Sequence, residues 1–271
     1  MGSSRQSVPR PPIKARNSAP KRSEPTRSEE PPPQEARVEP SLPAKPPLPE
    51  VQAKPVAADD VEQPKTPTSS AWSEFSRGDP NSPKIAITFD AGWENRPGAK
   101  ILDVLAKHNV HSTFFLTGKW VEKNPDLTRR IIAEGHEIGN HTWSHKRLTK
   151  LTAAEIAEEA DKTEQVIVKL TGKSTKPLLR TPYGNRDKRV LSILAKLGYR
   201  SIYWDEDCWD SVKPKVTSAE IEQRVLAKTR KGSIVLMHIG SEATADALDS
   251  ILQKLQAAGF QPVTVGELLN S

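Results

Sequence analysis

The feature that most limits this chain is an alternation. From Lys84 to Leu269, short apolar runs take turns with stretches of helical periodicity, the pattern of βαβ units and a parallel sheet. The spacing predicts strands over Lys84–Phe89, Ser112–Thr117, Glu137–Asn140, Lys176–Arg180, Tyr199–Trp204, Ser233–His238 and Pro262–Val265. It predicts helices over Gly98–His108, Pro125–Glu134, Thr152–Leu170, Asp187–Leu197, Ser218–Thr229 and Ala243–Ala258, with a last helical turn from Gly266 to Leu269. Thr152 with Glu155 three residues on forms a capping-box pattern, and Gly135, Gly198 and Gly259 stand where helices close. Units of this kind in one domain build an α/β fold, either a parallel barrel or a doubly wound sheet.

The first quarter of the chain cannot join that fold. All fourteen aromatic residues lie at or after Trp72, and 16 of the 24 prolines lie within residues 1–67. A segment without large side chains to bury cannot offset the entropy of ordering its backbone. Its proline content favours polyproline II, a semi-rigid spacer. Residues 1–71 are therefore expected to be a disordered Pro/Ser/charged linker, and 72–271 one folded unit of roughly 200 residues, enough for a single core.

Charge excludes some partners. Residues 1–80 carry 12 Lys+Arg against 11 Asp+Glu, and the remainder 28 against 23, with the signs interleaved. A nucleic-acid footprint needs clustered basic residues, so none is expected. A mildly basic surface also suits an anionic wall polymer. The single cysteine, Cys208, excludes an intrachain disulfide framework, and an inert buried thiol is the expected role. No apolar run reaches the roughly 18 residues of a membrane span, and the chain as given opens without the apolar core of a secretory signal.

In parallel α/β folds, chemistry gathers at the carboxyl ends of the strands. The residues there can be read without selection. Asp90 follows the first strand. His141 follows the third, with His145 four residues on. Arg180 ends the fourth and leads into Pro182-Tyr183-Gly184. Asp205, Asp207 and Asp210 follow the fifth, and His238 ends the sixth. Convergent titratable groups of these types suit metal-assisted hydrolysis. Two histidines at this spacing can ligate one cation, and a carboxylate can take a proton from a polarised water. A histidine across the site can protonate a leaving amine, and an arginine beside the base holds its pKa down. Residue types alone leave open which histidine is ligand and which is acid. The His141/His145 pairing favours those two as ligands and His238 as the acid.

Five short segments, in order, resemble the motifs of the polysaccharide deacetylases, the NodB-homology family of carbohydrate esterases. They are Thr88-Phe89-Asp90-Ala91-Gly92, His141-Thr142-Trp143-Ser144-His145, Arg180-Thr181-Pro182-Tyr183-Gly184, Trp204 to Ser211, and Leu236-Met237-His238. The resemblance covers roughly residues 82–270. It implies a distorted (β/α) barrel and removal of N-acetyl groups from amino-sugar polymers, peptidoglycan or chitin-like. It implies Asp90 as general base, Arg180 orienting it, and His238 as general acid tuned by Asp210. The Tyr183 backbone N–H would help hold the oxyanion, Leu236 would line the acetyl pocket, and Trp209 is among the aromatics that can stack on a sugar. His141 and His145 would bind a divalent metal, Zn2+ first, with Co2+, Mn2+ or Ni2+ as relatives. The expected partner is an N-acetylated glycan met by a monomer, and the substrate class implies a cell-wall or extracytoplasmic location.

Two departures stand out. The family's first motif carries a second aspartate as metal ligand where this chain has Ala91, so Asp90 or Glu94 becomes the candidate replacement. The continuation Gly92-Trp93-Glu94-Asn95 resembles a branch akin to the muramic δ-lactam deacetylases. The fourth motif ends Asp210-Ser211 rather than Asp-Trp, and a shifted register would give the tuning role to Asp207. Besides an active deacetylase, the residues allow a glycan-binding relative with weak or no turnover, or a hydrolase of another non-peptide C–N bond.

Overall fold

A computed structural model describes residues 74–92, 96–211 and 215–270. The expectation for residues 1–71 lies outside these.

The chain runs β1 (Lys84–Ala91), α1 (Gly98–Lys107), β2 (Thr113–Leu116), α2 (Gly118–Lys123), α3 (Pro125–Ala133) and β3 (Glu137–Asn140). It continues through α4 (Ala153–Thr171), β4 (Leu178–Leu179), α5 (Lys188–Lys196), β5 (Arg200–Ser201) and β6 (Glu206–Asp207). It ends with α6 (Ser218–Lys228), β7 (Ile234–His238), α7 (Glu242–Ala257), β8 (Gln261–Pro262) and α8 (Val265–Leu269). Short 3-10 turns cover Leu148–Lys150 and Pro182–Gly184. The strands lie in the order β5-β4-β3-β2-β1-β7-β6, every pairing parallel, with β8 beside the start of β1. This is the expected α/β architecture, a curled parallel sheet of the distorted-barrel kind.

A segment without periodicity of its own runs from the β5 edge to the start of β7. Phe75 pairs with Ile202 beyond β5, and Arg77 pairs with Ser233 before β7. The Phe75 N–H donates to the Ser201 carbonyl at 2.9 Å, and the Tyr203 N–H to the Phe75 carbonyl at 2.8 Å. The fifth strand is shorter than Tyr199–Trp204: the Ile202 N–H still donates to the Leu179 carbonyl at 2.8 Å, and past it Tyr203 bonds to Phe75 instead. The fourth is also shorter than predicted. Pro177 has no N–H to give the ladder, although the Arg180 N–H still donates to the Asn140 carbonyl at 2.9 Å.

Strand alternation sorts the side chains of β1. Ile85, Ile87 and Phe89 face the helical layer, where they pack with Ile101, Leu105, Leu248 and Ile251 from α1 and α7. Ala86 faces inward to a smaller cluster with Phe115, Leu178, Ile202 and Ile234. Thr88 and Asp90 share that inward face by the same alternation. Burying each of the large aliphatic side chains contributes about 1.5–3 kcal/mol, so the register of β1 is strongly fixed.

Local signals behave as predicted at most helix ends. Thr152 and Glu155 close a reciprocal capping box on α4, and Gly172 ends that helix in the left-handed region. α2 escapes the periodicity because it is only six residues long and starts on Gly118; the Thr117 hydroxyl caps it by accepting from the Trp120 N–H. No helix among the described residues is long and apolar enough to cross a membrane.

Candidate active site

β1 carries Asp90 one residue from its end, so this carboxylate is held by strand backbone rather than by the following turn. Across the β1–β7 pairing, Asp90 stands in register with His238. Leu236 and His238 are two apart on β7 and therefore share one face. His141 follows β3, and Arg180 follows β4. These groups converge on a cavity of about 480 Å³ lined by Asp90, His141, His145, Tyr183, Leu236 and His238, among others. A larger cleft, about 600 Å³, lies at the opposite ends of the strands beside Glu137, Leu178 and Arg200. Size does not choose between them. The chemistry does, because the smaller one gathers two charge-paired acid–base groups and two imidazoles.

Asp90 and Arg180 form a buried pair. The guanidinium donates from Nη1 to Asp90 Oδ1 at 2.8 Å and to the Thr88 hydroxyl at 2.9 Å. Its remaining donors reach the Ile202 and Tyr203 carbonyls at 3.3 and 3.4 Å, and its plane lies 4.1 Å from the centre of the Phe115 ring. Burial alone raises the Asp90 pKa, but Arg180, then His141 and His238, outweigh it and hold the carboxyl below the usual aspartate range. Asp90 is thus a buried group kept ionised at neutral pH.

His238 has its own partner. Its Nδ1 lies 2.7 Å from Asp210 Oδ1, while Asp210 Oδ2 accepts from the His238 backbone N–H at 2.8 Å and from the Thr244 hydroxyl at 2.6 Å. Burial pulls the imidazole pKa down, yet the Asp210 hydrogen bond and charge prevail and the net shift is upward. Of the two registers read in the fourth motif, the geometry favours Asp210. Asp207 instead faces the cavity and accepts from the Trp209 N–H at 2.8 Å, and burial raises its pKa.

The two remaining histidines lie side by side, ring centres 4.9 Å apart. His141 Nδ1 sits 2.8 Å from the Arg180 carbonyl, which can only accept, so Nδ1 carries the proton and Nε2 presents a lone pair. That Nε2 is 3.5 Å from Asp90 Oδ2. Burial lowers the pKa of both rings, that of His145 to about 4, leaving them neutral at pH 7. Neutral imidazoles with an oriented tautomer are the donors a divalent metal takes. The fit is partial. Among the described residues no set of three His, Cys, Asp or Glu is arranged to hold a metal, Ala91 is fully buried without a ligating atom, and Glu94 lies outside the described residues. A cation here would rest on two imidazoles, with Asp90 beside them and water or substrate oxygens completing its shell.

Two residues that the motif reading missed shape the loop between the histidines. Buried Glu159 on α4 accepts from the Ser144 N–H at 2.7 Å and from the Ser144 hydroxyl at 2.5 Å. Asn140 accepts from the Thr142 N–H at 2.8 Å while donating to the Ala160 carbonyl and the Tyr199 hydroxyl. Both clamps surround backbone with φ of 65° at Thr142 and 61° at His145, which side-chain-bearing residues rarely adopt. Helical periodicity could have marked Glu159 only as a polar residue on an amphipathic helix; its partner is fifteen residues away.

Tyr183 sits in the turn after Arg180 with φ of 58°, its ring centre 4.5 Å from that of His145. Trp209 does not join the others. It lies beneath the Arg224 guanidinium at 3.7 Å and lines a separate cleft against α6, whereas Trp204 lines the cavity itself. Cys208 is fully buried and its thiol pKa is pushed well up, chiefly by burial, as an inert side chain requires.

Comparison with known proteins accords with this geometry. Residues 77–202 match the polysaccharide deacetylase family. The chain is 37% identical over 199 residues to an uncharacterised 30.6 kDa protein of Geobacillus stearothermophilus, spanning 73% of this chain and 75% of that one. It is 34% identical to the Bacillus subtilis peptidoglycan-N-acetylmuramic acid deacetylase PdaA over 73% of this chain and 76% of PdaA. The solved structure of Bacillus subtilis PdaA, a family 4 carbohydrate esterase, superposes with a TM-score of 0.71 at 34% identity, covering 74% of this chain and 86% of that one. A CE4 family pseudoenzyme from Bacillus anthracis superposes with a TM-score of 0.69 at 32% identity, over 72% and 68% of the two chains. Motif order, barrel and sequence likeness agree, and the chain belongs to the polysaccharide deacetylase family.

Proposed function

We propose that this protein is a metal-dependent hydrolase that removes N-acetyl groups from an amino-sugar polymer, peptidoglycan foremost. One observation carries the reading. Asp90 and His238 face each other across one strand pair, and each has its own buried partner, Arg180 lowering the pKa of the one and Asp210 raising that of the other. Two titratable groups driven apart in this way suit a base and an acid acting in one site. The catalytic unit is assigned to residues 72–271, with 1–71 as a spacer.

In this reading Asp90 takes the proton of the attacking water, and Arg180 keeps it ionised and aimed. His141 and His145 would hold a divalent cation, Zn2+ foremost, which when bound would supply polarisation of the acetyl carbonyl and of that water. The Tyr183 backbone N–H donates to the developing oxyanion. Leu236 packs against the acetyl methyl. His238, protonated through Asp210, donates its proton to the departing amine, leaving acetate and a free amino sugar.

A second reading, a glycan-binding protein with weak or no turnover, is favoured by Ala91 and by the likeness to the pseudoenzyme. One assay separates them. The full chain is incubated with N-acetylglucosamine oligomers and with muropeptide glycans, with chelator or with added Zn2+, Co2+ or Mn2+. Metal-dependent acetate release is expected, abolished in Asp90→Asn. Binding without acetate from any substrate would establish the second reading instead.

A further inference from the structure

Several arginines among the described residues are committed to carboxylates. Arg180 pairs with Asp90, Arg186 with Glu74, Arg224 with Glu206 and Arg230 with Asp205. Arg147 is different. It is exposed, two residues beyond His145, and no carboxylate among the described residues pairs with it. Its guanidinium lies 4.4 Å from the centre of the Tyr183 ring, and that ring in turn packs edge-on against His145 at 4.5 Å. Tyr183 is 55% exposed and Arg147 is exposed as well, so the pair is open to solvent.

A guanidinium on an aromatic face keeps its N–H edge directed outward, and stacking restricts the motion of its stem. The planar fork matches a carboxylate in a bidentate pair. The stack Arg147–Tyr183–His145 therefore fixes a carboxylate-binding edge at a set distance from the imidazole beside which the acetyl group is expected. We infer that Arg147 forms a subsite for an anionic substituent, a carboxylate borne by the sugar whose N-acetyl group enters the cavity. Among wall amino sugars this is the chemistry of an N-acetylmuramic acid residue with its lactyl carboxylate free, and neutral N-acetylglucosamine lacks it. The inference rests on the deacetylase reading for the pose of the sugar, but binding alone can test it.

The probes are the disaccharide of N-acetylglucosamine and N-acetylmuramic acid with a free carboxylate, and the neutral N-acetylglucosamine dimer. Affinities of both for the full chain are measured by calorimetry at low and high salt, with acetate release followed in parallel. The wild type is expected to prefer the carboxylated disaccharide by about tenfold, with the preference shrinking as salt screens the pair. Arg147→Gln, which keeps a stem over Tyr183 but no charge, and Arg147→Ala should each abolish most of that preference. A wild type that does not bind the carboxylated sugar more tightly, or variants that keep the preference, would overturn the inference. An Arg147-dependent preference without acetate release would leave the subsite standing and remove the deacetylase reading.

Discussion

Arg180→Met removes a buried cation from beside a buried anion. Met is close in length and apolar, so the space stays filled, while Asp90 loses its charge partner and the Ile202 and Tyr203 carbonyls lose a donor. Breaking a buried ion pair from one side costs about 3–5 kcal/mol, because the surviving charge is left uncompensated. Urea unfolding of the full chain at pH 7 should show a lower midpoint at unchanged slope, the midpoint change times the slope giving a loss of that size. The cost should depend on pH. In the wild type the Asp90 pKa lies below the ordinary 3.8, so the ionised form stabilises the fold above 3.8, and that contribution fades as pH falls through the lower folded value. Without Arg180, burial becomes the dominant influence on Asp90 and lifts its pKa. The fold is then penalised at neutral pH and recovers as the carboxyl protonates. The difference between wild type and variant should therefore shrink from pH 7 towards pH 4. Asp90→Asn combined with Arg180→Met leaves neither charge, and the pair should cost less than the two single changes added together. Additive losses, or a loss within about 0.5 kcal/mol for Arg180→Met alone, would refute the reasoning.

Asp210→Asn should move the alkaline limb of the acetate-release profile to lower pH, because His238 works protonated and Asp210 holds its pKa above 6.5; kcat/KM against pH reads this, and an unmoved limb would count against His238 as the acid. Glu159→Ala should weaken Zn2+ binding about 10–100-fold by loosening the loop between His141 and His145, measured in competition with a chromophoric chelator, with Glu159→Gln retaining part of the affinity. Ala91→Asp buries a carboxylate at a fully covered position. It should lower the thermal midpoint in chelator and make the midpoint rise more steeply with added Zn2+ than in the wild type; equal responses would show that the new carboxylate does not reach the cation.

Much of the barrel was legible because its driving force is local in sequence. The apolar runs of β1 and β7, the capping box at Thr152 and the closing glycines each act within a few residues, and the structure follows them closely. That the candidate site residues come together was legible for a related reason, since a parallel sheet sends its strand ends to one place. What escaped is long-range. The segment of Phe75 and Arg77 pairs with residues more than a hundred positions away and carries no periodicity of its own. Glu159 shows its purpose only when α4 packs behind the histidine loop. Trp209 was grouped with the sugar-facing aromatics by its place in the motif, yet a φ of 68° turns it towards Arg224 and away from the cavity.

The register of Asp90 with His238 on β1 and β7 has a wider consequence. Neighbouring strands lie about 4.8 Å apart wherever a sheet forms, so the spacing of the proposed base and acid is a lattice constant of the backbone. Loops around the rim can lengthen, shorten or change composition without altering that span, which leaves substrate choice free to vary over a fixed ruler. The same ruler punishes errors harshly. A one-residue insertion in either strand turns that strand's reactive side chain into the helical layer and its apolar side chains out of that layer, so a strand that loses this spacing also loses its share of the core.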